Sequence, residues 1–262
     1  MVINMKLLNI NSYYYSSSVH RQLKSSLTDQ KIEVETYVPL ARGYVPRAEC
    51  TYEEDTGITA VECYNSFDRF IFSVKHNKIE KDIIGRFDFG KYDCMHAHSL
   101  FSNGYIAYRI NKRYGVPYVV AVRGTDLNTF FKRMIHLRKL GVEILKNASK
   151  IIFISSAYKH ICIKKYCPNP YRTILEEKSL VIPNGIDDFW HRNRYLEARS
   201  MDSTNIKLIF VGQIMKRKNL MTVKQACDIL IERGYNVAFK IVGSVVDKSE
   251  LNKVKRVQYI EH

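Results

Sequence analysis

Apolar positions along this chain fall into two alternating rhythms. Short β-branched or aliphatic runs at residues 6–11, 32–38, 93–97, 118–122, 150–154 and 180–182 predict strands. Longer stretches with apolar residues three and four apart lie between them and predict helices at 16–27, about 76–86, 103–114, 129–147 and 156–166. Val19, Leu23 and Leu27 set the phase of the first helix. Gly115, with Pro117 just beyond, closes the helix over 103–114. Residues 39–75 read as irregular, broken by Gly43, Pro46 and Gly57, with one further strand at 58–63. The run 150–154 is almost continuously apolar, as a parallel strand covered on both faces should be.

Strand–helix alternation of this kind predicts an α/β fold with a doubly wound, Rossmann-like sheet over residues 1–188. Residues 189–205 are polar and aperiodic and read as a linker. The alternation then restarts, with strands at 206–211, 236–242 and 256–260 and a helix at 219–233 closed by Gly234. Residues 206–262 thus form a second Rossmann-like domain, incomplete at three strands. A unit that short is expected to leave a sheet edge and helix faces uncovered.

With 262 residues, 46% of them hydrophobic, a core of ordinary size is available. No run of 18 uncharged apolar residues occurs, which argues against a spanning helix. The N-terminus reads as a first strand rather than a signal peptide. Six cysteines (Cys50, Cys63, Cys94, Cys162, Cys167 and Cys227) are scattered without CxxC spacing, as free thiols in a reducing cytoplasm would be. The net charge of +15 favours anionic partners. No helix-turn-helix, zinc finger or aromatic stacking module accompanies it, so nucleic acid is not expected. Residues 131–172 hold ten Lys or Arg and one acid, Glu143, interleaved with apolar residues. This pattern fits a core helix with a solvated basic face or one docked on an anionic bilayer.

Candidate chemistry gathers at strand ends. After the first strand, Ser16, Ser17 and Ser18 precede a helix, where they can cap it or bind an anion. His96 and His98 end the strand at 93–97, with Ser99 next. The two rings are expected to point opposite ways and so not to share a metal ion. A structural histidine and a cleft residue are both open readings, with His98 favoured for the cleft. Arg123-Gly124-Thr125-Asp126 follows another strand. Gly124 suits a tight turn, Thr125 and Asp126 suit a helix cap, and Arg123 suits a phosphate clamp or a structural ion pair. Leu180-Val181-Ile182-Pro183-Asn184-Gly185-Ile186-Asp187 runs from a strand into a turn. Gly212-Gln213-Ile214-Met215-Lys216-Arg217-Lys218 opens a basic loop ahead of a helix, where a bound anion would relieve the conflict with the helix dipole. Gly243 reads as an isolated glycine. No Walker A, HExxH, GxSxG or GxGxxG motif occurs.

Pro183 to Asp187 followed by Gly212 to Lys218, in that order, resembles the retaining glycosyltransferases of family 4, which have the two-domain GT-B fold. The resemblance covers essentially the whole chain, with the acceptor-side domain first and the donor-side domain opening at 206. It implies sugar transfer from a nucleoside-diphosphate sugar to a polysaccharide or lipid-linked acceptor, at the cytoplasmic face of a cell membrane. The nucleotide sugar is a co-substrate, and no other cofactor and no metal is implied. Family positions carry over to His98 and Arg123 as catalytic residues, and to Ser16, Ser17, Ser18, Gly212, Gln213 and Lys218 at the donor phosphates. Asn184, Gly185 and Asp187 fall at the interdomain turn. Arg123 stands where many members have histidine, which hints at an anionic acceptor. Gln213 replaces an arginine, with Lys216 or Arg217 able to compensate, and Asn219 replaces a glycine. The family's Glu-x7-Glu segment would lie beyond His262, so two other readings stand beside the enzyme. One is a catalytically impaired, truncated form that binds acceptor, membrane or partner. The other is a GT-B-shaped nucleotide-sugar epimerase.

Overall fold

The computed structural model describes residues 5–45, 56–196, 204–253 and 258–260, the last three as backbone only. Pro46, Cys50, residues 197–203 of the expected linker and the first two residues of the expected strand 256–260 lie outside them. The chain divides into two compact units, Met1–Asn193 and Arg194–His262.

In the first unit β1 (Lys6–Ile10), α1 (Ser18–Asp29), β2 (Glu33–Ala41), β3 (Ile58–Tyr64), α2 (Phe72–Arg86) and β4 (Cys94–Ala97) are followed by α3 (Gly104–Tyr114) and β5 (Tyr118–Val122). Then come α4 (Arg138–Asn147), β6 (Lys150–Phe153), α5 (Ser156–His160), α6 (Asn169–Lys178), β7 (Ser179–Val181) and α7 (Asp188–Arg192). The seven strands form one parallel sheet in the order β3-β2-β1-β4-β5-β6-β7. Adjacent residues Leu7 and Leu8 of β1 and Val120, Ala121 and Val122 of β5 are buried, so both faces of the sheet are covered. Strand order reverses between β1 and β4, and a crevice outside the carboxyl ends of such strands is where open α/β sheets bind ligands.

Several predicted elements change in detail. β2 runs on to Ala41 through Pro39. A proline there breaks no ladder, because β1 pairs only with Glu33 to Tyr37, and the later residues pair with β3 alone. The single helix expected over 129–147 is broken. Asp126–Phe131 forms a π-turn, Ile135–Leu137 a 3-10 turn, and α4 starts only at Arg138, whose Nε donates to the Phe131 carbonyl at 2.6 Å. The expected helix 156–166 likewise turns into a π-helix at Ile161–Tyr166, which brings Cys162 and Ile163 inside. α6 was not predicted. It begins at a proline and buries only Leu175, so its sequence shows little apolar period. The start of the expected linker is helical too, because Asp187 caps α7 by accepting from Phe189 N at 2.8 Å.

The basic stretch 131–172 has its apolar side turned inward. Leu137, Val142, Ile144 and Leu145 are buried in the core of this unit, so α4 offers no free apolar face to a bilayer. Among the described residues no helix is long and apolar enough to cross a membrane. The five described cysteines are free.

The second unit holds β8 (Asn205–Val211), α8 (Leu220–Glu232), β9 (Asn236–Val242), α9 (Lys248–Lys253) and β10 (Gln258–Ile260), with parallel order β10-β9-β8. Its small core is Ile214, Leu220, Cys227, Phe239 and Ile241. Ile209 and Val211 lie exposed on the other face of β8, as a unit with few layers requires.

Candidate functional site

The loops that follow β1, β4 and β5 meet at the reversal point of the first sheet. His98 sits one residue past β4, its backbone N–H donating to the Ile10 carbonyl of β1 at 3.2 Å. Its ring stacks on His96, with centroids 4.1 Å apart. The expectation that the two rings point opposite ways is wrong: residues two apart along a strand share a face. His20 of α1 closes over the pair edge-on, 5.3 Å from the His98 ring. His98 is therefore only 1% exposed, so the imidazole expected to face a cleft is sealed from solvent. Among the described residues, His98 Nδ1 and Nε2, His96 Nε2 and His20 Nδ1 have no hydrogen-bond partner. Burial first, and then the neighbouring Arg123, push His20 and His96 down to about 4. His98 is also pushed well below the usual imidazole range, by burial and then by His96, His20 and Arg123. The cluster is neutral at physiological pH.

Arg123 lies half-buried over this cluster. Its Nε donates to the His98 carbonyl at 3.2 Å and one terminal nitrogen to Asn184 Oδ1 at 2.8 Å. Two of its five donors are thus used to aim a planar cation. Asp126 forms no simple helix cap. Fully buried, it accepts from the backbone N–H of Arg123 at 2.8 Å, Leu100 at 3.0 Å and Phe101 at 3.1 Å. One carboxylate thereby ties the β4 loop to the β5 loop. Desolvation raises it to about 6, against the pull of those three N–H groups and of Arg123. A methyl group at Gly124 would stand 3.0 Å from the Tyr158 hydroxyl, a tight approach that the tyrosine would have to relieve by a small shift.

The serines are built as a helix start. Ser17 caps α1, its side chain accepting from Val19 N at 3.4 Å, and Ser16 Oγ donates to the Tyr13 carbonyl at 2.7 Å. Ser16 and Ser18 are exposed. Asn103, at the start of α3, accepts from Ser12 N at 3.2 Å and so joins the β1 loop to the β4 loop. Asp187 accepts from Gln22 Nε2 of α1 at 2.8 Å, which fixes the exposed segment 183–187 against the same edge. Gly185 has no left-handed backbone and open space where a side chain would stand, so no conformational demand for glycine shows there.

In the second unit, Gly212 (φ +147°) and Gly243 (φ +142°) cross at the ends of β8 and β9. A methyl group on Gly243 would sit 2.2 Å from the Gly212 carbonyl oxygen. The isolated glycine of the sequence is half of a backbone crossing. Gln213 and Lys216, Arg217 and Lys218 are exposed beyond it. Asn219 takes a left-handed backbone (φ +53°) ahead of α8, which explains why a glycine serves at that position and why asparagine can replace it.

The structure thus brings together His98, Arg123 and Asn184 and sets the serine loop on the same sheet edge. Sequence reasoning missed His20, Asn103, Gly243 and the true work of Asp126. His20 fits the helical period of α1, and only the long-range meeting of α1 with β4 gives it a role. Among the described residues no His, Cys, Asp and Glu group of three could hold a metal ion.

Residues 17–188 match the sequence profile of Glycosyltransferase Family 4. No curated protein matches the sequence. The catalytic domain of starch synthase IV from Arabidopsis thaliana, bound to ADP and acarbose, is similar at a TM-score of 0.60 and 12% identity, over 99% of this chain and 74% of that one. A trehalose-6-phosphate protein from E. coli bound with UDP-2-fluoro glucose gives 0.61 and 8%, over 98% and 73%. A UDP-GlcNAc 2-epimerase from Neisseria meningitidis bound to UDP-GlcNAc gives 0.54 and 12%, over 98% and 72%. At these identities the likeness is one of fold.

Proposed function

The chain belongs to glycosyltransferase family 4, and from that premise we propose that it moves a sugar from a nucleoside-diphosphate sugar to a polysaccharide or lipid-linked acceptor, with retention at the anomeric carbon. The observation that carries this reading is the seating of Arg123. The family match spans its unit, and the guanidinium is aimed by the His98 carbonyl and Asn184 at the reversal point of the sheet. Arginine holds no proton to exchange near neutral pH, so its role is to hold an anion, such as a phosphate or carboxylate of the acceptor. His98, being sealed, acts through Arg123 rather than on substrate.

In the transfer the bond from the anomeric carbon to the β-phosphate oxygen breaks and its electron pair leaves with the nucleoside diphosphate. A bond to the acceptor oxygen forms, and the proton of the acceptor hydroxyl passes to the departing diphosphate oxygen. Lys218, with Lys216 or Arg217 in place of the arginine replaced by Gln213, neutralises the departing diphosphate. Ser17 and Ser18 at the start of α1 offer backbone N–H groups to phosphate, whereas the N–H of Ser16 donates to the Tyr13 carbonyl and that of Gly212 to the Val242 carbonyl, both at 2.9 Å. These cations take the place that a metal ion fills in other transferases. A lipid-linked acceptor would be met at the cytoplasmic face of a membrane, with the protein peripheral to it.

Fold likeness to nucleotide-sugar 2-epimerases supports one other reading, isomerisation of the donor itself. Product analysis separates them. The protein is incubated with UDP- and GDP-sugars, with and without phosphorylated lipid or oligosaccharide acceptors, and nucleotide release and anomeric proton couplings are followed by NMR. Transfer predicts release that requires acceptor, a product with the donor's anomeric configuration, and a loss of about a hundredfold or more in Arg123→Ala. A new nucleotide sugar formed without acceptor would mean an epimerase. No turnover of any donor by folded protein would leave a module that binds acceptor, membrane or partner.

A further inference from the structure

Between β3 and α2 the chain makes a 3-10 turn, Ser66–Phe70, that shows two large apolar side chains to solvent. Phe67 is 82% and Phe70 81% exposed, and Ile71, the next residue, is 57% exposed. A 3-10 helix has three residues per turn, so residues three apart stand on one face, and the two phenyl rings form a single wedge. The turn is built to hold them there. Asp68 accepts from Asn65 N at 2.6 Å and from Lys78 Nζ of α2 at 2.7 Å. Phe72, two residues on, is anchored against His76, with ring centroids 4.0 Å apart. Exposed apolar groups on a firmly held turn mark an interaction surface.

The charge beside the wedge says what it meets. Arg69 lies within the turn. An open basin of about 730 Å³ at the end of β3 is lined by Arg42, Lys78, Lys81 and Arg86 with Glu62 and Asp82. Asp82 pairs with Arg86, and Asp68 with Lys78. Glu62 accepts from Gly43 N at 3.2 Å. Cations therefore outnumber acids around an apolar wedge, in a chain of net charge +15. An anionic bilayer complements both features: hydrocarbon for the rings and headgroup phosphates for the cations.

We propose that Phe67, Phe70 and Ile71, with Arg69 and the neighbouring basic basin, dock this protein on an anionic lipid bilayer. The surface stands where a lipid-linked acceptor would need it. All strands of the first sheet are parallel, so the turn after β3 lies on the same edge as the loops after β1, β4 and β5. β1 and β4 are two and three strands from β3, roughly 10 and 14 Å at the usual spacing. That consequence rests on the glycosyltransfer reading, whereas the docking itself does not.

Flotation of the purified protein with phosphatidylglycerol–phosphatidylcholine vesicles, and with phosphatidylcholine alone, tests it without any sugar. Binding is expected to the anionic vesicles only. The double variant Phe67→Ser with Phe70→Ser should lower that binding tenfold or more, with an unchanged thermal melt. Lys81→Glu should lower it several-fold. Ile135→Ser, at an exposed apolar position (64%) of the basic stretch 131–172, should leave it unchanged. Phe67→Trp with Phe70→Trp, which suits an interface, should bind at least as tightly, and covers the case of a poorly folded serine variant. No binding by the wild type, wild-type binding by the double serine variant, weaker binding by the tryptophan pair, or loss with Ile135→Ser would each overturn the proposal.

Discussion

Asp126 and the buried histidines of the first unit carry opposite electrostatic burdens. The carboxylate, raised to about 6, holds three backbone N–H groups. Asp126→Ala would leave those donors buried without a partner, and a loss of roughly 3 kcal/mol in urea unfolding is expected. The histidines act the other way on pH. His20, His76 and His96 sit at about 4 in the fold, and His98 is also held well below the ordinary histidine value of 6.5. Between those values the unfolded chain binds more protons than the fold, so stability present above pH 6.5 is lost as pH falls toward 4. Asp126 opposes this, since its raised value favours the fold on acidification through the same range. Four groups against one leave a net acid lability. The denaturation midpoint should fall steadily from pH 7 to pH 4.5, whereas a flat profile would mean that the imidazoles are not buried neutral. None of this balance was legible in the sequence. A histidine in a helix period and an aspartate three residues after an arginine look ordinary until long-range contacts bring them together.

At the scale of elements the sequence was most informative where a strong local rule acts. Gly115 takes the left-handed backbone (φ +77°) that ends α3, as its place before Pro117 implied. The buried strands followed from their apolar runs. Helices failed where packing overrode period. α4 was drawn too long because aromatic residues at 130 and 131 turn inward through a π-turn rather than continuing the helix. Gly141 records that pressure: a methyl group there would lie 2.6 Å from the Phe101 ring and 2.8 Å from the Phe131 ring. Gly141→Ala is expected to lose about 1–3 kcal/mol, read from the same urea transition. Gly243→Ala should disturb the second unit, because the obstacle there is the Gly212 carbonyl rather than a movable ring. Local loss of amide-exchange protection at the ends of β8 and β9, with the first sheet unaffected, is the expected signature.

For the whole molecule, the sequence order of motifs carried more than any one site. Parallel topology puts the loops after β1, β4 and β5 on one edge, so candidates read at strand ends share that edge, and the strand order that makes Ser17, His98 and Arg123 neighbours shows only in the fold. The contacts themselves, Arg123 on Asn184 and Gln22 on Asp187, join segments 61 and 165 residues apart and left no local trace. The central claim is that this chain handles nucleoside-diphosphate sugars, and nucleotide binding tests it most directly. Calorimetric titration of UDP and GDP into the purified protein and into Lys218→Ala is the measurement. The account predicts binding of at least one nucleotide, weakened about tenfold or more by loss of the lysine's charge-assisted contact. No binding of either nucleotide by folded protein, or equal binding by the variant, would contradict it.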